Sequence, residues 1–345
     1  MIRLFRVFMS EGVFDLVKKT LDSGYVGQGP MVEEFEKAVC ELEGIEPYLL
    51  ATMSGTHALD LAYHLCEIGH GSEVISTPMT CSATNTQLLV RGARIVWADV
   101  DPYTGLIDPE DVARKCTRRT KAIVAVDWGG APCDYAALKQ LKIPVIQDGA
   151  HSLLADTEGG DYRMWSFQAI KHLTTGDGGA LLVPKDKYER AYLLRWYGLD
   201  RRCGTSFRCI QDLREAGYKY GMNDVAASIG LGNISYAKNV VGKHKDNALY
   251  YVKNLKKKIY HNPHSSYWLF TLLVDKRDEF ISHMKSHGIE ASPVHDRNDI
   301  KTCFRYSKID LPGVEEFSRR QVNIPVGWWL TEEERKFIVE AVNAF

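Results

Sequence analysis

Val145-Ile146-Gln147-Asp148-Gly149-Ala150-His151 reads as a short apolar strand that ends in an acid and then turns. An acid at the carboxyl edge of a strand lies where open α/β sheets place their ligands. Working outward, short apolar runs recur at residues 48–51, 73–77, 94–98, 122–127, 144–147, 164–167 and 180–183. Helix-spaced stretches such as residues 32–43 and 57–68 separate them. This alternation predicts an α/β large domain, residues 1–238, with a mixed, mostly parallel sheet. From Asn239 a long helix begins that carries Lys243, Lys245, Lys253, Lys256, Lys257 and Lys258, read here as a solvated face. Beyond it a strand at 267–274 and helices at 277–287 and 331–344 predict a smaller C-terminal α/β domain, residues 239–345.

Two further segments fall at strand ends. Met53-Ser54-Gly55-Thr56-His57-Ala58-Leu59 follows a strand and opens a helix. Gly55 lets a ligand approach the backbone, and the first free N–H groups with the helix dipole make a phosphate seat. The same residues read equally well as a Ser/Thr helix cap. Ser166-Phe167-Gln168-Ala169-Ile170-Lys171 puts a lysine after a strand, and Thr174-Thr175-Gly176-Asp177-Gly178-Gly179 turns the chain into the next one. A lysine in an apolar, glycine-rich setting loses solvation and becomes an imine-forming amine. Asp148 reads either as the partner of a protonated ring nitrogen or as a helix cap. Taken together, a phosphate seat, an acid and a lysine match the phosphate, pyridine nitrogen and aldehyde of pyridoxal 5′-phosphate (PLP).

The 345 residues carry a net charge of −1, which gives no broad attraction to nucleic acid or to anionic membranes. The eight cysteines are scattered, without C-x-x-C pairs or zinc spacing, which predicts a reducing compartment and no metal site. No apolar run is long enough to span a bilayer, so a cytoplasmic protein is expected. The run Arg195-Trp196-Tyr197-Gly198-Leu199-Asp200-Arg201-Arg202 reads either as a packed helix end or as a pyrophosphate-binding segment.

The chain resembles the DegT/StrS-type sugar aminotransferases, the PLP-dependent family that includes GDP-perosamine synthase. The resemblance starts at Leu21-Asp22-Ser23-Gly24-Tyr25-Val26-Gly27-Gln28-Gly29-Pro30, followed by Val32-Glu33-Glu34-Phe35-Glu36, and runs through Ser54-Gly55-Thr56-His57-Ala58-Leu59, Asp148-Gly149-Ala150-His151 and Ser166-Phe167-Gln168-Ala169-Ile170-Lys171. It continues in Gly217-Tyr218-Lys219-Tyr220-Gly221-Met222-Asn223-Asp224, Pro293-Val294-His295 and Asn323-Ile324-Pro325. It implies a PLP aminotransferase of fold type I, acting as a homodimer with shared active sites in amino sugar and polysaccharide biosynthesis. Lys171 is then the Schiff-base lysine and Asp148 the partner of the pyridine nitrogen. His151 lies near the phenolic oxygen, and Gly55, Thr56 and Ser166 bind the phosphate. Lys219 and Asn223 reach the phosphate in the neighbouring subunit, while His295 and Tyr25 meet the substrate. The implied reaction moves an amino group from L-glutamate to a keto group of a nucleotide-linked sugar. C4 of a 4-keto-6-deoxy sugar is expected. C3 amination of a 3-keto sugar and a non-catalytic PLP-binding regulator stand as alternatives.

The sequence departs from the family pattern in four places. Cys81 stands in Pro78-Met79-Thr80-Cys81 where relatives carry an aromatic residue over the cofactor ring, and Gln168 stands where many have histidine. The stretches 156–162 and 258–264 are short, and are expected to shape the substrate entrance. A dehydratase branch of the family replaces the Schiff-base lysine with histidine; here Lys171 keeps the lysine and His172 follows it.

Overall fold

The computed structural model describes residues 1–204, 210–304 and 310–345. Seven strands form one sheet: β1 (Leu49–Thr52), β2 (Glu73–Ser76), β3 (Arg94–Trp97), β4 (Thr120–Val126), β5 (Val145–Asp148), β6 (Tyr162–Ser166) and β7 (Gly179–Leu182). Their spatial order is β1-β7-β6-β5-β4-β2-β3. Only β7 runs against its neighbours β1 and β6; the pairs from β6 through β5, β4 and β2 to β3 are parallel. The seven strands lie within about two residues of the runs expected from the sequence.

Parallel strands covered by helices on both faces must be apolar nearly throughout, and Ala122–Val126 and Val145–Asp148 are buried at every position. One face packs on the Gly55–Leu65 helix through Ala58, Leu59, Leu61, Ala62 and Tyr63. Part of the other is covered by the Pro30–Glu43 helix through Val32, Phe35 and Val39. The helix Ala237–Asn254 leads to a two-stranded antiparallel sheet of β8 (Phe270–Leu273) and β9 (Gln321–Ile324). That sheet has its own core, including Tyr251, Phe270, Phe280, Val322 and Ile338. Strand β9 is four residues long with a central asparagine, and periodicity does not announce it.

The N-terminal residues cross to this second unit. Ile2 pairs in parallel with Ile289, and Leu4 donates its N–H to Glu290 at 2.9 Å. The arm then brings Phe5 against Trp268, with ring centroids 5.0 Å apart.

Candidate active site

Three segments meet where β1, β5, β6 and β7 end or begin. Ser54 caps the helix after β1, its hydroxyl accepting from the His57 N–H at 3.2 Å. The capping reading of this motif is therefore correct. The N–H groups of Gly55 and Thr56 lie in the first turn, where no helical carbonyl can reach them, so the anion seat is compatible with the cap. A Cβ at Gly55 would sit 3.1 Å from the Met164 sulfur and 3.2 Å from Ser166 Cβ. A Cβ at Gly179 would lie 2.5 Å from the Gly55 nitrogen. Glycine at both positions lets the start of β7 press against the seat.

Asp148 ends β5 and is buried. Burial pushes its carboxyl pKa up, and the Thr84 hydroxyl, the Ala150 N–H and the charge of Lys171 draw it back. Thr84 donates to Oδ2 at 2.7 Å and Ala150 to Oδ1 at 3.1 Å. Behind it, Gln147 points the other way and donates to the buried Asp127 at 2.6 Å, which also accepts from Ser152, Tyr135 and the Cys133 N–H. The end of β5 is thus held on both sides.

Lys171 follows β6, and burial brings its amine down to about 8, with Asp148 partly opposing the shift. His151 is held well below the usual imidazole range by burial, helped by Lys171 and His295. It is therefore neutral. Its Nδ1 accepts from the Gly129 N–H at 3.3 Å, which leaves the proton on Nε2. Burial likewise brings His295 down to about 4, with Lys171 adding to the shift, and its ring lies parallel to that of His151 at 5.5 Å.

Gly55, Thr56, Asp148, His151, Ser166, Lys171 and His295 all line one cavity of about 510 Å³. Its wall also holds Thr80, Cys81, Thr84, Gln168, Asp177, Trp268, Ser292 and, from the N-terminal arm, Leu4 and Phe5. The donor set fits PLP: an anion seat, a buried carboxylate and a lysine brought toward neutrality share one enclosure. Cys81 is exposed into that space.

The other expected site residues lie elsewhere. Tyr25 does not line the cavity: its hydroxyl donates to the Gln28 carbonyl at 3.2 Å, and Arg201 donates to the same carbonyl at 2.7 Å. Lys219 is exposed, with Nζ 4.5 Å from the centre of the Trp196 ring, over which Arg201 also lies. The side chain of Asn223 caps the Asp224–Ile234 helix by accepting from the Ala226 N–H at 2.9 Å. These residues form a patch outside the cavity of their own chain, although Tyr220 beside Lys219 accepts from the Met53 N–H near the anion seat.

Two other expectations change. Arg195 is buried and pairs with Glu36 and the Ala51 carbonyl, so it fastens the Pro30–Glu43 helix to β1. Arg202 pairs with Glu189 and Asp200. The packed-helix reading holds for both. The short loops 156–162 and 258–264 do not line the cavity but bond to each other, His264 to Asp156 at 2.8 Å.

Thr84 and Trp268 escaped the sequence reading. Thr80 and Thr84 lie four residues apart across the start of the Ser82–Val90 helix and share a hydrogen bond of 2.8 Å. Nothing local points to Trp268, which reaches the site from the far end of the chain. Among the described residues, no helix is long and apolar enough to cross a membrane.

Residues 9–343 match the DegT/DnrJ/EryC1/StrS aminotransferase family. Over its whole length the chain is similar to the crystal structure of AtS13 from Actinomadura melliaura, 38% identical over 99% of that chain with a TM-score of 0.95. It is equally similar in fold to the sugar aminotransferase CalS13 from Micromonospora echinospora, at 34% identity, full coverage of both chains and a TM-score of 0.95. A structure of DesI determined in the presence of its TDP-sugar product is 25% identical over 99% of this chain and 91% of that one, with a TM-score of 0.86.

Proposed function

The chain belongs to the DegT/DnrJ/EryC1/StrS aminotransferase family, and from that premise we propose that it aminates a nucleotide-linked keto sugar at the expense of L-glutamate through Lys171. The enzyme is a PLP-dependent sugar aminotransferase. The reading of the residue roles rests on one observation: Lys171, Asp148 and the Gly55–Thr56 turn line the same cavity.

Bound PLP supplies an aldehyde carbon and an electron sink for the bonds around the transferred nitrogen. The protein does the rest. The Gly55 and Thr56 N–H groups and the Ser166 hydroxyl hold the phosphate. Asp148 holds a proton on the ring nitrogen, its buried carboxylate kept in place by Thr84 and Ala150. His151 offers its Nε2–H to the phenolic oxygen. Lys171 Nζ is the amine that would hold the cofactor through its aldehyde carbon and, once free, would carry protons on Nζ, a task suited to an amine that burial brings down to about 8. Phe5 and His151 line the same cavity as apolar and neutral rings beside these groups.

The acceptor is a nucleotide-linked sugar with a keto group at C4, a 4-keto-6-deoxy sugar. The DesI structure with its TDP-sugar product supports the nucleotide. The active unit is a homodimer in which the patch of Tyr25, Lys219 and Asn223 serves the partner's site, a reading supported by its position outside the cavity of its own chain. The retained lysine speaks against the dehydratase branch.

Adding L-glutamate to the holoenzyme should convert the bound PLP to its amine form and release 2-oxoglutarate. A panel of 4-keto and 3-keto nucleotide sugars, read by mass spectrometry, then identifies the acceptor. Amination of only 3-keto sugars overturns the C4 assignment, and an unchanged spectrum with glutamate overturns the donor.

A further inference from the structure

Lys171 touches a residue to which the catalytic reading gives no role toward the lysine. Trp268 lies just before β8 in the C-terminal part of the chain and is 3% exposed. Its indole Nε1–H donates to the carbonyl of Ile170, the residue preceding Lys171, at 3.0 Å. Its ring lies under the side-chain amine, with Lys171 Nζ 3.7 Å from the centroid. The ring does not depend on the lysine for its orientation. His151 stacks on it at 4.0 Å, Phe5 stacks on it at 5.0 Å, and the N–H bond fixes its tilt.

We propose that Trp268 is a positioning residue for Lys171, fixing the backbone through Ile170 and seating the amine on its ring whenever that amine is not bonded to the cofactor. The inference rests on the reading of Lys171 as the imine-forming lysine.

A reaction in two halves releases the lysine after the first and needs it again in the second. In the interval a flexible four-carbon side chain must stay close, carry a proton and give it up. An aromatic face suits this task because it attracts an ammonium through its quadrupole and cannot itself take the proton. A carboxylate in the same place would bind far more strongly in a desolvated site and hold the amine charged. The groups around Lys171 leave this role open. Asp148, at the end of β5, favours the ammonium, as does Cys81, from the turn before the Ser82–Val90 helix, when ionised. His151, after β5, and His295, in the C-terminal part, face it with neutral rings, His172 follows it in the chain, and Asp177 stands elsewhere on the cavity wall. Burial opposes the charge. Trp268 works against burial without adding a second negative charge beside Asp148.

The test uses full-length enzyme loaded with pyridoxamine 5′-phosphate, in which Lys171 is free. Its reactivity toward acetic anhydride is followed across pH by peptide mass spectrometry in wild type, Trp268→Met and Trp268→Phe. Trp268→Met fills the volume without a ring, and its labelling midpoint should fall by about one pH unit, the size of a desolvated cation–π contact. Trp268→Phe keeps a ring but loses the bond to Ile170. Its midpoint should stay within about 0.3 of wild type, while its glutamate half-reaction slows with KM unchanged. Equal midpoints and equal half-reaction rates in all three proteins overturn the proposal. If Trp268→Met does not fold, a wild-type half-reaction rate in Trp268→Phe overturns it. Borohydride reduction of the PLP-loaded wild type separates the two readings. Label on another lysine defeats the catalytic assignment itself, whereas label on Lys171 with unmoved midpoints and rates defeats only the role of Trp268.

Discussion

Thr84 donates its hydroxyl hydrogen to Asp148 Oδ2 across 2.7 Å, from the first turn of one helix to the end of a strand 64 residues later. Asp148 is buried, which pushes its carboxyl pKa up, and this bond is the foremost of the contacts that draw it back. Thr84→Val removes the donor and should raise the Asp148 pKa. A bond to a charged group contributes about 1.5–3 kcal/mol, so PLP should bind roughly ten- to a hundredfold more weakly. The sign also fixes the pH dependence: the variant should lose cofactor at a higher pH than wild type as acid is added. A PLP dissociation constant within about twofold of wild type across that range would show that Thr84 does not support Asp148.

Asp148→Asn keeps the shape and the Thr84 contact in altered form but cannot hold the ring nitrogen protonated. The glutamate half-reaction should slow by about two orders of magnitude or more, equivalent to some 2.7 kcal/mol of barrier. Stopped-flow absorbance of the holoenzyme measures it. A near-normal rate would remove Asp148 from the mechanism.

Lys171→Ala should abolish turnover without loss of the fold, since the side chain lies on a cavity wall and makes no ion pair among the described residues. Borohydride reduction of wild type followed by peptide mapping should find pyridoxyl on Lys171. The amine must be neutral to attack an aldehyde, and it titrates near 8. Imine formation in the unloaded protein should therefore slow about tenfold for each pH unit well below that value. A flat rate between pH 6 and 8 would contradict it (about two decades are expected there).

Cys81 is exposed into the cofactor cavity, whereas Cys203 is exposed elsewhere on the protein. Iodoacetamide should label both in the unloaded enzyme, and PLP should protect Cys81 alone. Equal labelling of Cys81 with and without cofactor would place the ring away from this residue.

The shared-site reading predicts complementation. Lys171→Ala and Lys219→Glu should each be inactive as homodimers. In mixed dimers one site carries both lesions and the other neither, so activity should return after subunit exchange. If exchange is proven and no activity returns, Lys219 serves its own chain.

The sheet and the three segments that meet in the cavity were legible because each declares itself over a few adjacent residues. A strand ends, a helix or turn begins, and a residue of the right chemistry stands at the junction, as at Gly55, Asp148 and Lys171. Thr84 and Trp268 were not, because their roles arise between segments 64 and 98 residues apart. A tryptophan in an apolar run is indistinguishable in sequence from a core residue, and Trp268 is also that. Arg195 misled in the opposite sense: an arginine beside aromatics suggests an anion site, yet its half-buried partner Glu36 lies 159 residues upstream. Tyr25 belongs to a family-like segment, but the fold puts it on the outer patch with Lys219.

The N-terminal arm has a consequence for the order in which the protein can be completed. Leu4 is bonded to Glu290, 286 residues later in the chain, and Phe5 reaches the cavity only because that bond and the Ile2–Ile289 pairing exist. At translation speeds of roughly 5–20 residues per second, the arm emerges from the ribosome and waits on the order of fifteen to sixty seconds for its partner to be made. The seven-stranded sheet can form in that interval. The enclosure around Lys171 cannot, since Trp268 and His295 belong to the last quarter of the chain and the arm carrying Phe5 is anchored at Ile289 and Glu290. A nascent chain stalled before Glu290 would thus carry the anion seat, the acid and the lysine in an open trough, able to meet the cofactor before it can shelter it from water.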